Sequence, residues 1–240
     1  MGKWPKLDRI EMIDGPIDKK DYQNQIDELQ HRLLDLQTWH LRTGGRVLIG
    51  LDGWDAAGKG GLIERLVAGL EPKSTHVWRI SAPTPDEQGR HYLWRFWQKL
   101  PAPSELAIFD RTWYGRVLVE RVEKFASKPE WRRSYEEINQ FEKMLVDDGC
   151  PVIKIFLHIT KDEQLSRFKE REKNPYKHWK ITKDDWRNRN RWKDYEHAID
   201  DMFERTDTGH SPWLLVAANH KWFARTEALK AVVTSLERWW

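Results

Sequence analysis

One short segment, residues 50–61, constrains the fold of this chain more than any other. It reads Gly-Leu-Asp-Gly-Trp-Asp-Ala-Ala-Gly-Lys-Gly-Gly, follows the apolar run of residues 47–49 and precedes the helical pattern of residues 62–67. A strand, a glycine-rich turn, a lysine and a helix form an anion cradle in this order, because the turn's N–H groups and the positive end of the helix point at one anion. The segment therefore predicts a phosphate-binding loop.

The segment departs from the common pattern G-x-x-x-x-G-K-[ST] at its last position. The Ser or Thr of that pattern supplies a hydroxyl to Mg²⁺, and Gly60 stands in its place. The metal then needs another oxygen ligand, and Asp55 inside the loop can supply one. We predict that Lys59 and the loop bind phosphate; a turn that is merely rich in glycine is the alternative. The predicted loop contacts are Gly53, Ala56, Ala57, Gly58, Gly60 and Gly61.

A second acidic residue ends the strand predicted for residues 105–110, which read Glu-Leu-Ala-Ile-Phe-Asp. An Asp at the carboxyl edge of a buried parallel strand, beside a phosphate loop, holds Mg²⁺ in enzymes that transfer phosphoryl groups. We therefore predict that Asp55 and Asp110 are the metal ligands. Capping of the following helix is the alternative role for Asp110.

The residues that follow Asp110 are rich in arginine. Arg111 comes directly after this carboxylate, where a guanidinium can bind two phosphate oxygens at once. Arg116 and Glu120 are four residues apart, so the pattern predicts a helix that carries both on one face. We assign all three to the site; an ordinary surface ion pair is the alternative for Arg116 and Glu120.

Apolar runs and helix breakers divide the chain into alternating strands and helices. The predicted strands are 46–51, 75–81, 105–110, 152–159 and 213–217. The predicted helices are 18–43 with Asp18 as its cap, the loop helix to about residue 70, 87–100, the stripe 131–145, 161–172, a helix from about 182, and 222–240. This alternation predicts a parallel sheet covered on both faces, with the ligand at its carboxyl edge. We expect a single domain over residues 1–240.

Positive charge is concentrated near one end of the chain. Residues 167–193 carry eleven Lys and Arg against four Asp and Glu, a net +7, whereas the whole chain carries +3. Such a stretch indicates an acidic partner; a solvated helix face is the alternative. Two helices joined by a basic connection would cover the phosphate site, and we call residues 160–195 the lid segment.

Composition favours a cytoplasmic protein without a membrane partner. Charged residues make up 33% of the chain, and no apolar run approaches the roughly 20 residues of a membrane span. The first residues lack the apolar stretch of a signal peptide. A single cysteine, Cys150, excludes an internal disulfide and fits a reducing compartment. His158 lies within a predicted buried strand, so we expect a core histidine with a hydrogen-bond partner.

Several stretches together resemble the polyphosphate kinase 2 family. They are residues 53–61, residues 109–121, and the lid sequences 167–171 and 186–192. The resemblance runs from about Tyr22 to the end of the chain. It is strongest to the polyphosphate:AMP phosphotransferase branch, which is also similar at residues 91–97. Some members of that branch fuse two such domains, whereas this chain carries one.

The resemblance implies a three-layer α/β/α sandwich of the P-loop NTPase type, with a parallel sheet and a helical lid. It implies reversible, Mg²⁺-dependent phosphoryl transfer in which inorganic polyphosphate and AMP or ADP give ADP or ATP, with guanosine nucleotides as further acceptors and Mn²⁺ as a substitute metal. It also implies a homo-oligomer. By motif position it adds phosphate-binding roles for Arg121, Arg167 and Arg171. We also assign Lys177, in the basic connection of the lid segment, to phosphate binding.

Phosphoryl transfer needs positioning and charge neutralisation more than covalent help. The predicted catalytic residues are Lys59, Asp55, Asp110, Arg111, Arg116 and Glu120. An ATP-dependent nucleoside monophosphate kinase shares this fold and is one alternative. A nucleic-acid-binding P-loop module is another, because basic and aromatic residues bind a polyanion with stacked bases. We expect no nucleic-acid partner.

Overall fold

The computed structural model describes residues 4–12 and 18–239. Five parallel strands form one sheet in the order β2-β3-β1-β4-β5. They are β1 (Arg46–Gly53), β2 (Thr75–Arg79), β3 (Glu105–Asp110), β4 (Val152–His158) and β5 (Trp213–Ala217). The predicted parallel sheet is confirmed, and each predicted strand is found within two residues of its predicted bounds. Because the strands are parallel, all their carboxyl ends meet at one edge.

Helices cover both faces of this sheet. They are α1 (Lys19–Thr43), α2 (Lys59–Val67), α3 (Trp94–Trp97), α4 (Val119–Val122), α5 (Lys128–Asp147), α6 (Lys161–Lys173), α7 (Lys183–Asn190), α8 (Trp192–Thr206) and α9 (Lys221–Trp239). Helices α1, α2 and α9 pack together, and α5 packs on α8. None of these helices, within the described part of the chain, is apolar and long enough to cross a bilayer. Trp240, the predicted end of the last helix, lies outside the described residues.

Helix α1 begins and ends where the sequence predicts. The carboxylate of Asp18 accepts hydrogen bonds from the N–H groups of Lys20 and Asp21, which satisfies two donors of the first turn. Gly44 ends the helix with φ of 72°, in the left-handed region that glycine adopts without strain. Tyr22 stacks on Trp222 of α9 at a centroid distance of 5.3 Å. The apolar stripe of α1 therefore packs on its own domain.

The predicted helix over residues 87–100 is wrong for most of its length, because only Trp94–Trp97 are α-helical. The Glu87 carboxylate accepts a hydrogen bond from the N–H of Thr84 and forms an ion pair with Arg95 at 3.1 Å. Gly89 has φ of 77°, which a continuous helix excludes. These contacts fold residues 84–91 into turns. The apolar residues that suggested a longer helix pack against the core from the short helix α3.

A buried ion pair joins β4 to α5. Lys154 and Glu142 are 1% and 0% exposed, and Nζ lies 2.8 Å from Oε2. Lys154 also donates to the Tyr114 hydroxyl and to the carbonyl of Thr206, so all three ammonium donors are used. The other oxygen of Glu142 accepts from Tyr114 and from the Trp113 indole. The pair thereby fixes the segment that follows Asp110 in the chain.

We predict that Lys154→Met lowers the free energy of unfolding by about 3–5 kcal/mol, because Glu142 would stay buried without its counter-charge. Urea denaturation of the purified variant measures this. Lys143→Met is the matched control. Lys143 pairs with Asp147 on the surface of α5, the helix that also carries Glu142, and such exposed pairs contribute less than about 1 kcal/mol to stability. Equal losses in the two variants would contradict the assignment.

Candidate phosphate-binding site

A cleft of about 580 Å³ opens at the carboxyl edge of the sheet, where a ligand was predicted. Residues 52–55, at the end of β1 and in the loop after it, line this cleft together with residues 111–113, which follow β3. Residues 80–83, residues 87–92 and helix α7 also contribute to its walls. The lining carries charged side chains such as Asp55, Arg111 and Arg116, and apolar or aromatic ones such as Tyr92, Phe96, Leu118, Val119 and Phe125. The cleft therefore offers both polar groups and apolar surface to a ligand.

The glycine-rich loop has the backbone of a tight anion cradle. Gly53 has φ of 145°, and a Cβ there would lie 2.5 Å from the carbonyl oxygen of Leu157 on β4. Gly58 has φ of 114° immediately before α2 begins at Lys59. Ala56 takes φ of 65°, which is uncommon for a residue with a Cβ. Such angles next to a helix N-terminus fit the predicted phosphate-binding loop.

Arg167 holds this loop in place, and its predicted phosphate contact stays a prediction. Its side chain is 3% exposed, and each of its five N–H donors has a protein acceptor. Nε donates to the carboxylate of Glu163 at 2.6 Å. The other acceptors are the carbonyls of Ala56 (3.0 Å), Ala57 (2.9 Å), Ala218 (2.7 Å) and Asn219 (2.8 Å). In this arrangement no donor of Arg167 is left for a phosphate oxygen.

Lys59 closes the loop from the inside. Its ammonium donates to the carbonyls of Gly53 at 2.8 Å and Trp54 at 3.2 Å. Burial lowers the pKa of Lys59, and Arg111 lowers it further, whereas the carboxylates of Asp55 and Asp110 raise it. Two of its three ammonium hydrogens are thus bonded to the loop itself, and the phosphate contact of Lys59 stays a prediction.

Asp55 receives donors on both oxygens. Arg111 Nη2 lies 3.3 Å from Oδ1, and the Asn188 amide donates to Oδ2 at 2.9 Å. Arg111 has φ of 69°, so a left-handed residue directly after β3 turns the guanidinium toward the loop. The structure thus brings the predicted residues Asp55 and Arg111 together. Asn188 was missed, because nothing in the sequence relates it to a residue so far away in the chain.

Asp52 and Asp110 lie on adjacent strands beside the loop. In the register of β1 and β3, Leu51 is paired with Asp110. Asp52 is buried and accepts a hydrogen bond from the Thr112 hydroxyl at 2.6 Å. Burial raises the pKa of Asp52, although Thr112 and nearby cations oppose the shift. Asp52 therefore serves to fix the Thr112 segment, and Asp110 lies at the predicted edge.

The acidic residues fit a magnesium ion that is bound together with phosphate. Among residues 4–12 and 18–239, no three His, Cys, Asp or Glu side chains are grouped to hold a metal by themselves. Mg²⁺ is usually held by one or two carboxylates, with waters and substrate phosphates as the remaining ligands. Oxygen ligands from Asp55 and Asp110 suit this hard cation. The metal role of both residues stays a prediction.

Arg116 and Glu120 form the expected ion pair without the expected helix. A 3₁₀ turn ends at Arg116 and α4 begins at Val119, so no continuous helix carries both residues. Their side chains nevertheless lie 2.9 Å apart on the wall of the cleft, where Arg116 also stacks on Tyr92. Burial raises the pKa of Glu120 and Arg116 opposes this. The Arg116 Nε is buried without a hydrogen-bond partner in the described structure, so an anionic ligand could satisfy it.

Arg121 is not among the residues that line the cleft, and its predicted phosphate contact stays a prediction. It donates to the Tyr135 hydroxyl at 2.8 Å and forms an ion pair with Asp201 at 2.8 Å. Its guanidinium also lies over the Trp131 ring at 4.3 Å. The signal that could have revealed this is the aromatic stripe of α5, which passes beside Arg121.

The remaining predicted phosphate ligands lie in the lid segment. Arg171 is half-buried on α6, near the carboxylates of Asp55 and Asp185, and burial lowers its pKa. Its guanidinium forms no hydrogen bond or ion pair with the part of the chain that the structure describes. Lys177 is exposed and lies 3.7 Å from Glu170. Arg171 is therefore open to a phosphate near the loop, and the role of Lys177 stays a prediction.

Two tryptophans connect the loop to the lid segment. Trp54 stacks on Trp192 of α8 with ring centroids 3.6 Å apart and planes inclined by 4°. The Trp54 indole donates to His158 Nδ1 at 2.9 Å, which confirms His158 as a core histidine with a partner. Burial lowers the pKa of His158 to about 4, so it stays neutral and can accept this bond. Sequence reasoning could not choose this pair among fifteen tryptophans.

Comparison with known proteins gives consistent matches. Residues 16–239 match the family described as polyphosphate kinase 2. A polyphosphate:AMP phosphotransferase from Pseudomonas syringae pv. tomato is 48% identical over 92% of this chain. A GDP-polyphosphate phosphotransferase from Mycolicibacterium smegmatis is 38% identical, covering 92% of this chain and 78% of its own length. The crystal structure of a putative polyphosphate kinase 2 from Pseudomonas aeruginosa superposes with a TM-score of 0.93 at 45% identity.

The coverage of these relatives is unequal. The match spans 45% of the Pseudomonas syringae protein. The Pseudomonas aeruginosa structure is covered over 50% of its chain, although 97% of the present chain is included. This chain therefore spans about half the length of these two relatives, to which it is 48% and 45% identical.

The bonding of the two lid arginines predicts opposite phenotypes. We expect Arg167→Ala to lower the free energy of unfolding by at least about 3 kcal/mol, because four carbonyls and Glu163 lose buried, charge-assisted bonds. We expect Arg171→Ala, on the same helix, to cost less than about 1 kcal/mol. Thermal and urea unfolding measure both variants. Similar losses in the two proteins would show that the assigned difference in bonding is wrong.

Proposed function

The chain belongs to the polyphosphate kinase 2 family, and from this premise we propose that it transfers phosphoryl groups reversibly between inorganic polyphosphate and a nucleotide. The observation that carries the proposal is the lining of the cleft: it combines Arg111 and Arg116, close to the loop that holds Lys59, with apolar side chains. AMP and ADP are the proposed acceptors. Guanosine nucleotides are further candidates, because one relative is named for GDP.

The glycine-rich loop beside the cleft suits the transferring phosphates. Lys59 caps the carbonyls of Gly53 and Trp54, and we propose that its ammonium turns to phosphate oxygens when they enter the loop. Loop N–H groups and the N-terminus of α2 would bind the same oxygens. Asp55 and Asp110 would hold Mg²⁺, or Mn²⁺ in its place; the metal would neutralise charge on the bridging oxygens.

The arginines supply charge where the transition state needs it. Arg111 lies beside Asp55, and Arg116 carries a buried Nε without a partner among the described residues. Both line the cleft, and Arg171 approaches it from the lid segment. An arginine that neutralises a transferring phosphoryl group contributes about 10³–10⁵ in rate in related systems. Glu120 would orient Arg116 through their ion pair.

No general base is required for this reaction. The acceptor oxygen belongs to a nucleotide phosphate, whose second pKa is about 6, so it is already anionic near neutral pH. Water is the competing acceptor, and a closed lid segment would exclude it. The nucleobase would lie against the apolar side chains of the cleft, which include Leu118, Val119 and Phe125.

We predict that the protein converts AMP to ADP when it is given polyphosphate and Mg²⁺, and that it does not do so when ATP replaces polyphosphate. The reason is that the basic lid segment suits a long polyanion. Chromatography of AMP, ADP, GMP and GDP reactions, run in parallel with each donor, measures this. Turnover with ATP alone would favour a nucleoside monophosphate kinase. Binding of single-stranded DNA or RNA without any transfer would favour the nucleic-acid alternative.

A pair of variants controls for contaminating activity. Lys59→Met should reduce kcat/KM by at least about 10³-fold, because a cation on the transferring group contributes on the scale of an arginine that neutralises it. Lys230→Met removes an exposed lysine of α9 and should leave the rate unchanged. If Lys59→Met turned over as fast as the Lys230→Met control, the glycine-rich loop would have no role in phosphoryl transfer.

A further inference from the structure

Asp55 is held by two consecutive residues of α7. The Asn188 amide donates to the carboxylate at 2.9 Å. The carbonyl oxygen of Asp55 accepts a hydrogen bond from Gln164 Nε2 at 3.1 Å, and Gln164 Oε1 accepts one from Arg189 at 3.3 Å. Helix α7 therefore holds the side chain of Asp55 directly, through Asn188. It holds the main chain of Asp55 indirectly, because Gln164 lies between that carbonyl and Arg189.

The orientation of the Asn188 amide is determined by its other neighbour. The Tyr195 hydroxyl of α8 donates to Asn188 Oδ1 at 3.1 Å. Burial raises the pKa of Tyr195, so this hydroxyl keeps its proton near neutral pH. Because Oδ1 accepts from Tyr195, the amide nitrogen must face Asp55.

The same hydroxyl lies near a cluster that includes lid arginines. Glu123 is nearly buried, and its oxygens lie 3.4 Å from the Tyr195 hydroxyl, 3.1 Å from Arg187 Nε and 3.6 Å from Arg191 Nη1. Glu123 follows α4, close in the chain to Arg116 and Glu120. The hydroxyl has one proton and the contact with Asn188 is the shorter, so the hydrogen-bonded series from the loop carboxylate runs through Asn188 to Tyr195. Glu123 and its arginines form a neighbouring ion-pair cluster.

We propose that Asn188 is a positioning residue, which ties helix α7 to the Asp55 carboxylate and makes closure of the lid segment depend on the orientation of that carboxylate. Each Asp55 oxygen has one protein donor, and a carboxylate oxygen can accept more than one contact. The tether therefore leaves a lone pair on each oxygen for a cation. Without Asn188, Asp55 can rotate toward Arg111, and α7 loses its direct contact with the loop.

Hydrogen exchange tests the tether without any substrate. In the ligand-free protein, amides of residues 183–190 should exchange about tenfold faster in Asn188→Ala than in the wild type, the scale expected for loss of a hydrogen bond to a charged group. Asn190→Ala is the matched control, since Asn190 is an exposed residue of the same type on the same helix. Urea unfolding checks that all variants remain folded. Equal exchange in Asn188→Ala and Asn190→Ala would overturn the proposal.

A double-mutant cycle tests the role of Tyr195. Tyr195→Phe removes the donor that orients the amide and should accelerate exchange of α7 about threefold. Combined with Asn188→Ala, it should add no further acceleration, because both changes break one series of contacts. If the acceleration of exchange in the double variant equalled the product of the two single accelerations, the residues would act independently. That result would contradict the coupling between Asn188 and Tyr195.

A kinetic measurement extends the test and rests on the proposed function. With polyphosphate, AMP and Mg²⁺, Asn188→Ala should lower kcat about tenfold and raise the half-saturating Mg²⁺ concentration, while KM for AMP changes less than threefold. A change in KM alone would count against positioning of Asp55. If the wild type transfers no phosphate, the proposed function fails, and the exchange measurements still decide whether the tether exists.

Discussion

The side chain of Arg167 is the interaction on which the site depends. It joins the carbonyls of Ala56 and Ala57 in the loop after β1 to those of Ala218 and Asn219 after β5. Two chain segments far apart in sequence are held at one edge of the sheet by a single buried cation. Burial of that cation is costly unless every donor is paired, and here every donor is. The loop is thus shaped before a ligand arrives, so little ordering is left to oppose binding.

The basic character of the site separates into two kinds of arginine. Arg167 and Arg121 use their donors on protein acceptors and build the walls. Arg111, Arg116 and Arg171 face the cleft or its approach with capacity left for an anion. A count of charges along the chain cannot distinguish these kinds, because the difference lies in which carbonyls and carboxylates happen to surround each guanidinium.

The sequence predicted those features that short-range chemistry determines. Asp18 and Gly44 bound α1 as expected, and apolar runs located all five strands. Because the carboxyl ends of parallel strands meet at one edge of the sheet, the sequence also predicted that Lys59 and Asp110 lie at the same edge. Residues 87–93 and the stretch between Arg116 and Glu120 failed as helices, because ion pairs and turns there override local propensity. Asn188 lay beyond prediction, since its partner is 133 positions away and no local pattern reports such a contact.

The proposed function requires that the preformed loop receives the phosphate chain and that Lys59 leaves its carbonyl partners to bind it. A crystal structure of the protein with Mg²⁺ and a short inorganic polyphosphate would show whether this happens. We expect a phosphate group inside residues 53–59, the Lys59 ammonium on its oxygens, Asp55 and Asp110 beside the metal, and Arg167 unmoved. A phosphate chain bound elsewhere, with Lys59 still on the carbonyls of Gly53 and Trp54, would contradict it.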